Sequence, residues 1–507
     1  MRVGAKPQDP VSTVWQFDVL DEKGTLTTMP NLNWQSVLVS SEHNWRRIVR
    51  ALRFAWSLAL LALALLLAFL PVLERPVLGA GASLTLPAPE SRAKNIILFI
   101  GDGMGFNHTE ATSYWATGQQ AGLTMQQCPF QLACSTYPAR SIGYDPDRAW
   151  EGAEYVKLGA TDSAAAATAL ACGIKTYNAA LGVDFNGKPR TNVLERAERW
   201  GKATGVVSTV PFSHATPAGF VAHQPRRNDY HGIAEDMLCN SAADVIIGAG
   251  HPWYDKDHKK LDTAKFTYIS EATWGKVMAG AAGADANGDG SPDPWTFLEE
   301  TASLKALGSG PTPERVFGLV EVGSTTQQGR SGDANALPFV APLTADVPTL
   351  KDLTLAAINV LDEDPDGFVL MVEGGAIDWA SHSNQTGRMI EETLDFDKAI
   401  QAAFQWVEAN GGWEENLIII TADHECGGLG KPDSQKGLEP VINRGEGQAP
   451  GLQWYSGGHT NSLVPVYAKG AGAELLKLVA DQEDSIRGAY LDNTEIPLVM
   501  TRAMGPH

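Results

Sequence analysis

The sequence predicts an α/β protein, a three-layer sandwich whose large central, mostly parallel sheet is flanked by helices and carries a site at the carboxyl ends of its strands. Three observations lead there. From Asn95 onward strand-like and helix-like segments alternate, as they do in α/β domains. The runs NIILFI, FVLMV and LIIIT are continuously apolar, which suits strands buried on both faces. Each run then delivers acidic or histidine side chains: Asp102 between Gly101 and Gly103, Glu373 followed by Asp378 and His382, and Asp423 with His424. Ligands of open α/β sheets bind at the strand carboxyl ends. Carboxylates gathered there repel one another unless cations neutralise them, so the pattern predicts a metal cluster.

Ahead of this domain the 507-residue chain reads differently. Arg46, Arg47, Arg50 and Arg53 precede the apolar run 54–70, Pro71 breaks it, and Ala80-Gly81-Ala82 supplies small residues. That order of basic flank, apolar core and small-residue site predicts a secretory signal within an N-terminal extension, 1–82. The run is also near the shortest membrane span, so an uncleaved anchor is the alternative, with attachment through 54–70. Residues 1–45 are assigned no fold, and 83–94 reads as a linker. An exported protein, periplasmic or extracellular, is expected. The formal net charge of −20 argues against nucleic acid as a partner, because affinity for phosphate backbones comes from clustered Lys and Arg. Five cysteines are too few for a disulfide scaffold, although Cys128 and Cys134 are close enough in sequence to close one small loop.

The domain 95–507 contains further elements. Gly205–Val210 reads as a strand, and Val464–Ala468 as another, which Pro465 places at a sheet edge. A long helix is predicted over Arg388–Ala409, stopped by Gly411-Gly412. Two Gly- and Pro-rich regions, near 251–348 and 427–458, read as insertions on the face that carries the site.

The motifs sharpen the chemistry. In Thr161-Asp162-Ser163-Ala164-Ala165, small residues open a close-packed helix near Asp162, and a serine in its first turn sees the positive end of the macrodipole. Such a serine needs a base or a metal to become a nucleophile; no Ser-His pair is visible nearby in the sequence, so a metal is the better activator. Read alone, the motif is an ordinary helix cap. Ser213-His214-Ala215-Thr216-Pro217 follows a strand, and the Arg226-Arg227 pair after it offers a guanidinium fork that suits phosphate, or else a solvated basic pair. Asp378 and His382 lie four apart, on one helical face, as metal ligands often do. Gly457-Gly458-His459-Thr460 adds a loop histidine. Asp285, Asn287, Asp289 and Asp293 alternate as in a calcium loop, but Thr296 stands where the bidentate Glu belongs, and a polar turn explains the pattern equally well.

Together IGDGMG, TDSAAAATAL, the HATP motif with Arg227, VEGGAID with His382, TADHE, GGHT and the closing DNTEI resemble the alkaline phosphatase family, in the right order over about residues 92–507. The resemblance implies a phosphate monoesterase with two zinc ions and one magnesium ion, working through a phosphoserine intermediate, and a homodimer. It implies that Asp378, His382 and His459 hold one zinc, that Asp423, His424 and Asp102 hold the second, and that Asp102, Thr216 and Glu373 hold the magnesium. Ser163 matches the nucleophile, Arg227 the phosphate-binding arginine, and Asp162 the residue that orients it. His214 and Trp379 match neighbours of the third metal, at positions that vary within the family. His223 is a candidate for an outer role. The competing readings are a phosphodiesterase of the same superfamily and an inactive metal- or phosphate-binding surface protein. A sulfatase is disfavoured because no C/S-x-P-x-R motif surrounds Ser163.

Overall fold

The structure, a computed structural model, describes residues 18–20, 26–28, 86–286 and 290–505. The first of its two units, Met1–Thr85, contributes a short antiparallel ribbon, Asp18–Leu20 with Leu26–Thr28. The apolar run 54–70 lies outside the described residues. Among the described residues no helix is long and apolar enough to cross a membrane.

The second unit, Leu86–His507, is built on a sheet of 11 strands. In chain order these are β1 (Asn95–Gly101), β2 (Phe130–Ser135), β3 (Ala203–Pro211), β4 (Val245–Ala249), β5 (Thr296–Leu298), β6 (Val316–Leu319), β7 (Phe368–Gly374), β8 (Asn416–Thr421), β9 (Val464–Gly470), β10 (Gln482–Asp484) and β11 (Gly488–Asp492). Across the sheet they run β10-β11-β2-β9-β8-β1-β7-β3-β4-β6-β5. From β8 to β5 every neighbouring pair is parallel. The three motif-bearing strands β8, β1 and β7 are adjacent at its centre and buried along their whole length. Continuous apolar sequence is what burial on both faces requires.

The helices that matter here are α1 (Phe106–Thr117), α2 (Ser163–Cys172), α3 (Val193–Glu198), α4 (Ala215–Gly219), α5 (Leu350–Leu361), α6 (Ala376–His382), α7 (Thr386–Ala409) and α8 (Ile496–Met504). α7 packs on α5 and α1, while α8 packs on α2 and α3, giving a layer on either side of the sheet. Phe99 of β1 meets Phe396 of α7 edge to face, with centroids 5.9 Å apart, so alternate β1 residues face this layer. The long helix begins two residues before its predicted start, at Thr386, and Gly411 and Gly412 with φ of 75° and 64° stop it.

Two expectations are corrected. β9 is an interior strand between β8 and β2. Its ladder with β8 ends at the Ile420–Tyr467 pair, two residues short of Pro465. The Pro465 carbonyl accepts from Thr421 Oγ1 at 3.0 Å, so that edge of the residue faces β8 beyond the ladder, where a missing N–H forfeits nothing. Cys128 and Cys134 are free. Cys134 sits in extended β2, which rises about 3.3 Å per residue and carries it away from Cys128.

The region 251–348 includes β5 and β6, which extend the sheet at one edge. The region 427–458 is drawn back by two short antiparallel pairs, Glu425–Cys426 with His459–Thr460 and Leu429–Gly430 with Gln453–Trp454. The first pair sets His459 beside Asp423 and His424.

Candidate active site

Asp102 follows β1, Glu373 lies near the end of β7, and Asp423 follows β8, so strand adjacency alone brings these carboxylates together. Gly103 turns the chain after β1 with φ +73°, and a Cβ there would lie 2.9 Å from both the Asp378 Cα and the Cys426 Cβ. Only glycine allows so close an approach. α6 starts directly after β7, and its pitch places Asp378 and His382 on one face.

Two groups of ligand-type atoms result, one from Asp378, His382, Cys426 and His459 and one from Asp102, Asp423 and His424, with the atoms of each within 4.8 Å of one another. In the first, Asp378 Oδ2 is 3.4 Å from His382 Nε2, Asp378 Oδ1 is 3.3 Å from His459 Nε2, and the two Nε2 atoms are 3.0 Å apart. The other nitrogen of each ring lies against a backbone carbonyl, His382 Nδ1 on Gly457 at 2.7 Å and His459 Nδ1 on Thr161 at 2.8 Å. Such bonds fix the tautomer and leave both Nε2 lone pairs aimed at one point, the usual support of a metal-binding histidine. In the second group, His424 Nε2 lies 3.1 Å from Asp423 Oδ2 and 3.5 Å from Asp102 Oδ1. The rings of His424 and His459 stack at 3.6 Å and join the groups. Beside them Thr216 Oγ1 approaches Asp102 Oδ2 at 3.5 Å, and Oε1 of Glu373 is buried without a hydrogen-bond partner among the described residues.

Asp162 caps α2, accepting from Ala165 N at 3.0 Å, and its Oδ2 accepts from Ala179 N at 2.9 Å and Arg227 Nη1 at 3.1 Å. Ser163, first in the helix and 1% exposed, brings Oγ to 3.3 Å from His424 Nε2. His214 Nε2 is 3.5 Å from Arg227 Nη2, and its ring lies 5.4 Å from Trp379. Arg226 is exposed.

This pocket demands positive charge. Burial, then repulsion from Asp423, Asp378 and Glu373, raises the Asp102 carboxyl well above its usual range. Burial likewise pushes Glu373 up to about 7. Burial alone would lower His459, but the hydrogen bond and charge of Asp378 raise it to about 9. Cations bound among these groups answer the same demand. The donor types fit: imidazole with carboxylate suits zinc, and the oxygen set of Asp102, Thr216 and Glu373 suits magnesium.

Every residue named above for the metals and the phosphate therefore lies in one region. His223 does not: its ring bonds Glu195 at 2.9 Å and the Gly182 carbonyl at 2.7 Å. In the calcium-like loop, Asp285 accepts from Gly290 N and Asp293 from Ala286 N, as in a polar turn, while Asn287 and Asp289 lie outside the described residues. Sequence reasoning missed Tyr230, stacked on His214 at 6.2 Å, Ser208, which donates to Glu373, and the carbonyls of Thr161 and Gly457. None carries a sequence signal, since carbonyls are common to all residues and Ser208 reads as an ordinary strand position.

A sequence model of the family described as alkaline phosphatase matches residues 93–450. The chain is 33% identical to alkaline phosphatase 3 of Bacillus subtilis (strain 168) over 351 residues, 67% of this chain and 62% of that relative. It is 32% identical to alkaline phosphatase H of Pseudomonas aeruginosa (strain UCBPP-PA14) over 419 residues, 78% of this chain and 84% of that relative. Among solved structures, alkaline phosphatase from the Antarctic bacterium TAB5 aligns with a TM-score of 0.55 at 27% identity, over 82% of this chain and 99% of that one. The cold-active enzyme of a psychrophilic Shewanella aligns with a TM-score of 0.58 at 26% identity, over 81% and 100%. A TAB5 variant, aligned over 83% and 99% with a TM-score of 0.54 at 26% identity, has magnesium bound in its M3 site. The strand order, the gathered motifs and these likenesses agree: the chain belongs to the alkaline phosphatase family.

Proposed function

We propose that this protein hydrolyses phosphate monoesters through a phosphoserine at Ser163, with two zinc ions and one magnesium ion. The observation that carries the reading is the meeting of Ser163, Arg227 and the two histidine–carboxylate groups at the carboxyl ends of β1, β7 and β8. Asp378, His382 and His459 hold one zinc, Asp102, Asp423 and His424 the other, and Asp102, Thr216 and Glu373 the magnesium. A TAB5 variant with magnesium bound in its M3 site supports magnesium as a third metal here. When bound, the metals supply Lewis acidity that favours a deprotonated oxygen nucleophile near neutral pH and stabilises negative charge on the leaving oxygen.

The chain's own residues do the rest. Arg227, held by Asp162, takes two phosphoryl oxygens in its fork. Ser163 Oγ sits in the first turn of α2, where the helix dipole favours its anionic form. With its proton given up to solvent, it attacks phosphorus, the ester P–O bond breaks, and the leaving oxygen takes a proton from water as the alcohol departs. Water then cleaves the phosphoserine, releasing inorganic phosphate and restoring Ser163. His214 lies against Arg227, and Trp379 packs edge-on against His214.

We also propose export, supported by the Arg-flanked run 54–70, and a homodimer, supported by family membership. Comparing kcat/KM for nitrophenyl phosphate and bis-nitrophenyl phosphate tests the reaction class. The monoester is the better substrate on this account; a preference for the diester overturns it.

A further inference from the structure

β3 breaks its regular pairing beside the site. Its register against β4 is even from Gly205–Val245 to Val207–Ile247, then shifts before Pro211–Ala249, so β3 holds extra residues over that span. Irregularities of this kind re-aim side chains, often next to functional sites. Ser208 lies within the span and stands directly opposite Glu373 of β7. Both residues are fully buried.

The hydrogen bonds of Ser208 leave its hydroxyl one role. Its Oγ accepts from Val210 N at 3.0 Å, within the span of shifted register. Its own proton goes to Glu373 Oε2. That bond occupies one carboxylate oxygen and restrains rotation of the group. The other oxygen, Oε1, is left buried and without a hydrogen-bond partner among the described residues, on the carboxylate neighbouring Asp102 and Thr216. Ser208 touches none of Asp378, His382, His459, Asp423 or His424 within hydrogen-bond distance.

We infer that Ser208 is a positioning residue for the oxygen-ligand site, presenting Glu373 Oε1 to magnesium while leaving the zinc groups untouched. This rests on the assignment of Glu373 to magnesium above. Residues that orient a metal ligand in this way typically account for about 10- to 100-fold in metal affinity.

The test is calorimetric titration of magnesium chloride into the zinc-loaded protein, comparing the parent with Ser208→Ala, Ser208→Thr and Glu373→Gln. Zinc content and thermal unfolding are measured on each. The expected result is an affinity loss of about tenfold or more for Ser208→Ala, with two zinc ions retained, and recovery by Ser208→Thr, which keeps the hydroxyl. Glu373→Gln should lose the magnesium signal. If Glu373→Gln loses it while Ser208→Ala binds magnesium like the parent, the inference about Ser208 is wrong and the magnesium assignment stands. If Glu373→Gln also binds like the parent, the assignment and the inference fall together. If Ser208→Ala loses zinc and magnesium alike, the hydroxyl is structural and the inference is equally overturned.

Discussion

Two consecutive arginines separate the proposed phosphate grip from its surroundings, which makes Arg227→Ala and Arg226→Ala a discriminating pair. The Arg227 side chain is 17% exposed and fixed by Asp162 at 3.1 Å, while Arg226 is exposed. Removing the Arg227 guanidinium leaves Asp162 with the N–H groups of Ala165 and Ala179 and the positive end of α2. The fold therefore loses only on the order of 1 kcal/mol. The reaction loses more, because hydrogen bonds to a charged phosphoryl group contribute about 2 kcal/mol. That is about 30-fold in kcat/KM. The inhibition constant for inorganic phosphate should rise by a similar factor. Arg226→Ala should stay within about twofold, as expected for an exposed charge with no fixed partner. The assay is kcat/KM on nitrophenyl phosphate, phosphate inhibition and a thermal melt for both variants. A damaged Arg226→Ala beside a parent-like Arg227→Ala would refute the geometry.

Ser163→Ala should keep both zinc ions yet lose most turnover and all trapping of labelled phosphate on the chain; label recovered on any other residue contradicts the nucleophile assignment. Asp162→Ala removes a helix cap and the anchor of Arg227 in one step. It should lower stability by about 1 kcal/mol and weaken phosphate inhibition as well, whereas a pure stability loss with parent-like kinetics would show that Arg227 orients itself. Protein recovered from outside the cytoplasm should begin near Ser83, and an intact Met1 terminus in a cytosolic fraction would overturn the export reading.

Much of the site was legible in the sequence because the sheet does the assembly. Once NIILFI, FVLMV and LIIIT are read as buried parallel strands, Asp102, Glu373 and Asp423 have to meet if those strands are neighbours, and β8, β1 and β7 are. The i, i+4 spacing of Asp378 and His382 is equally local. What sequence could not supply was long-range pairing. Pro465 reads as an edge residue because a proline's cost depends on whether a partner strand reaches it, and here the β8 ladder stops short. The proposed role of Ser208 depends on an irregular register between β3 and β4, which no local pattern reports. His459 was identified by its motif, while the ribbon that seats it beside His424 was not visible.

The central claim is that the gathered carboxylates and histidines hold catalytic metal. Metal content and nitrophenyl phosphate turnover, measured on one preparation before chelation, after chelation and after zinc return, test it most directly. Two zinc ions per chain, loss of turnover on chelation and recovery with zinc are the expected results. Full turnover in protein shown to be free of metal would contradict the account.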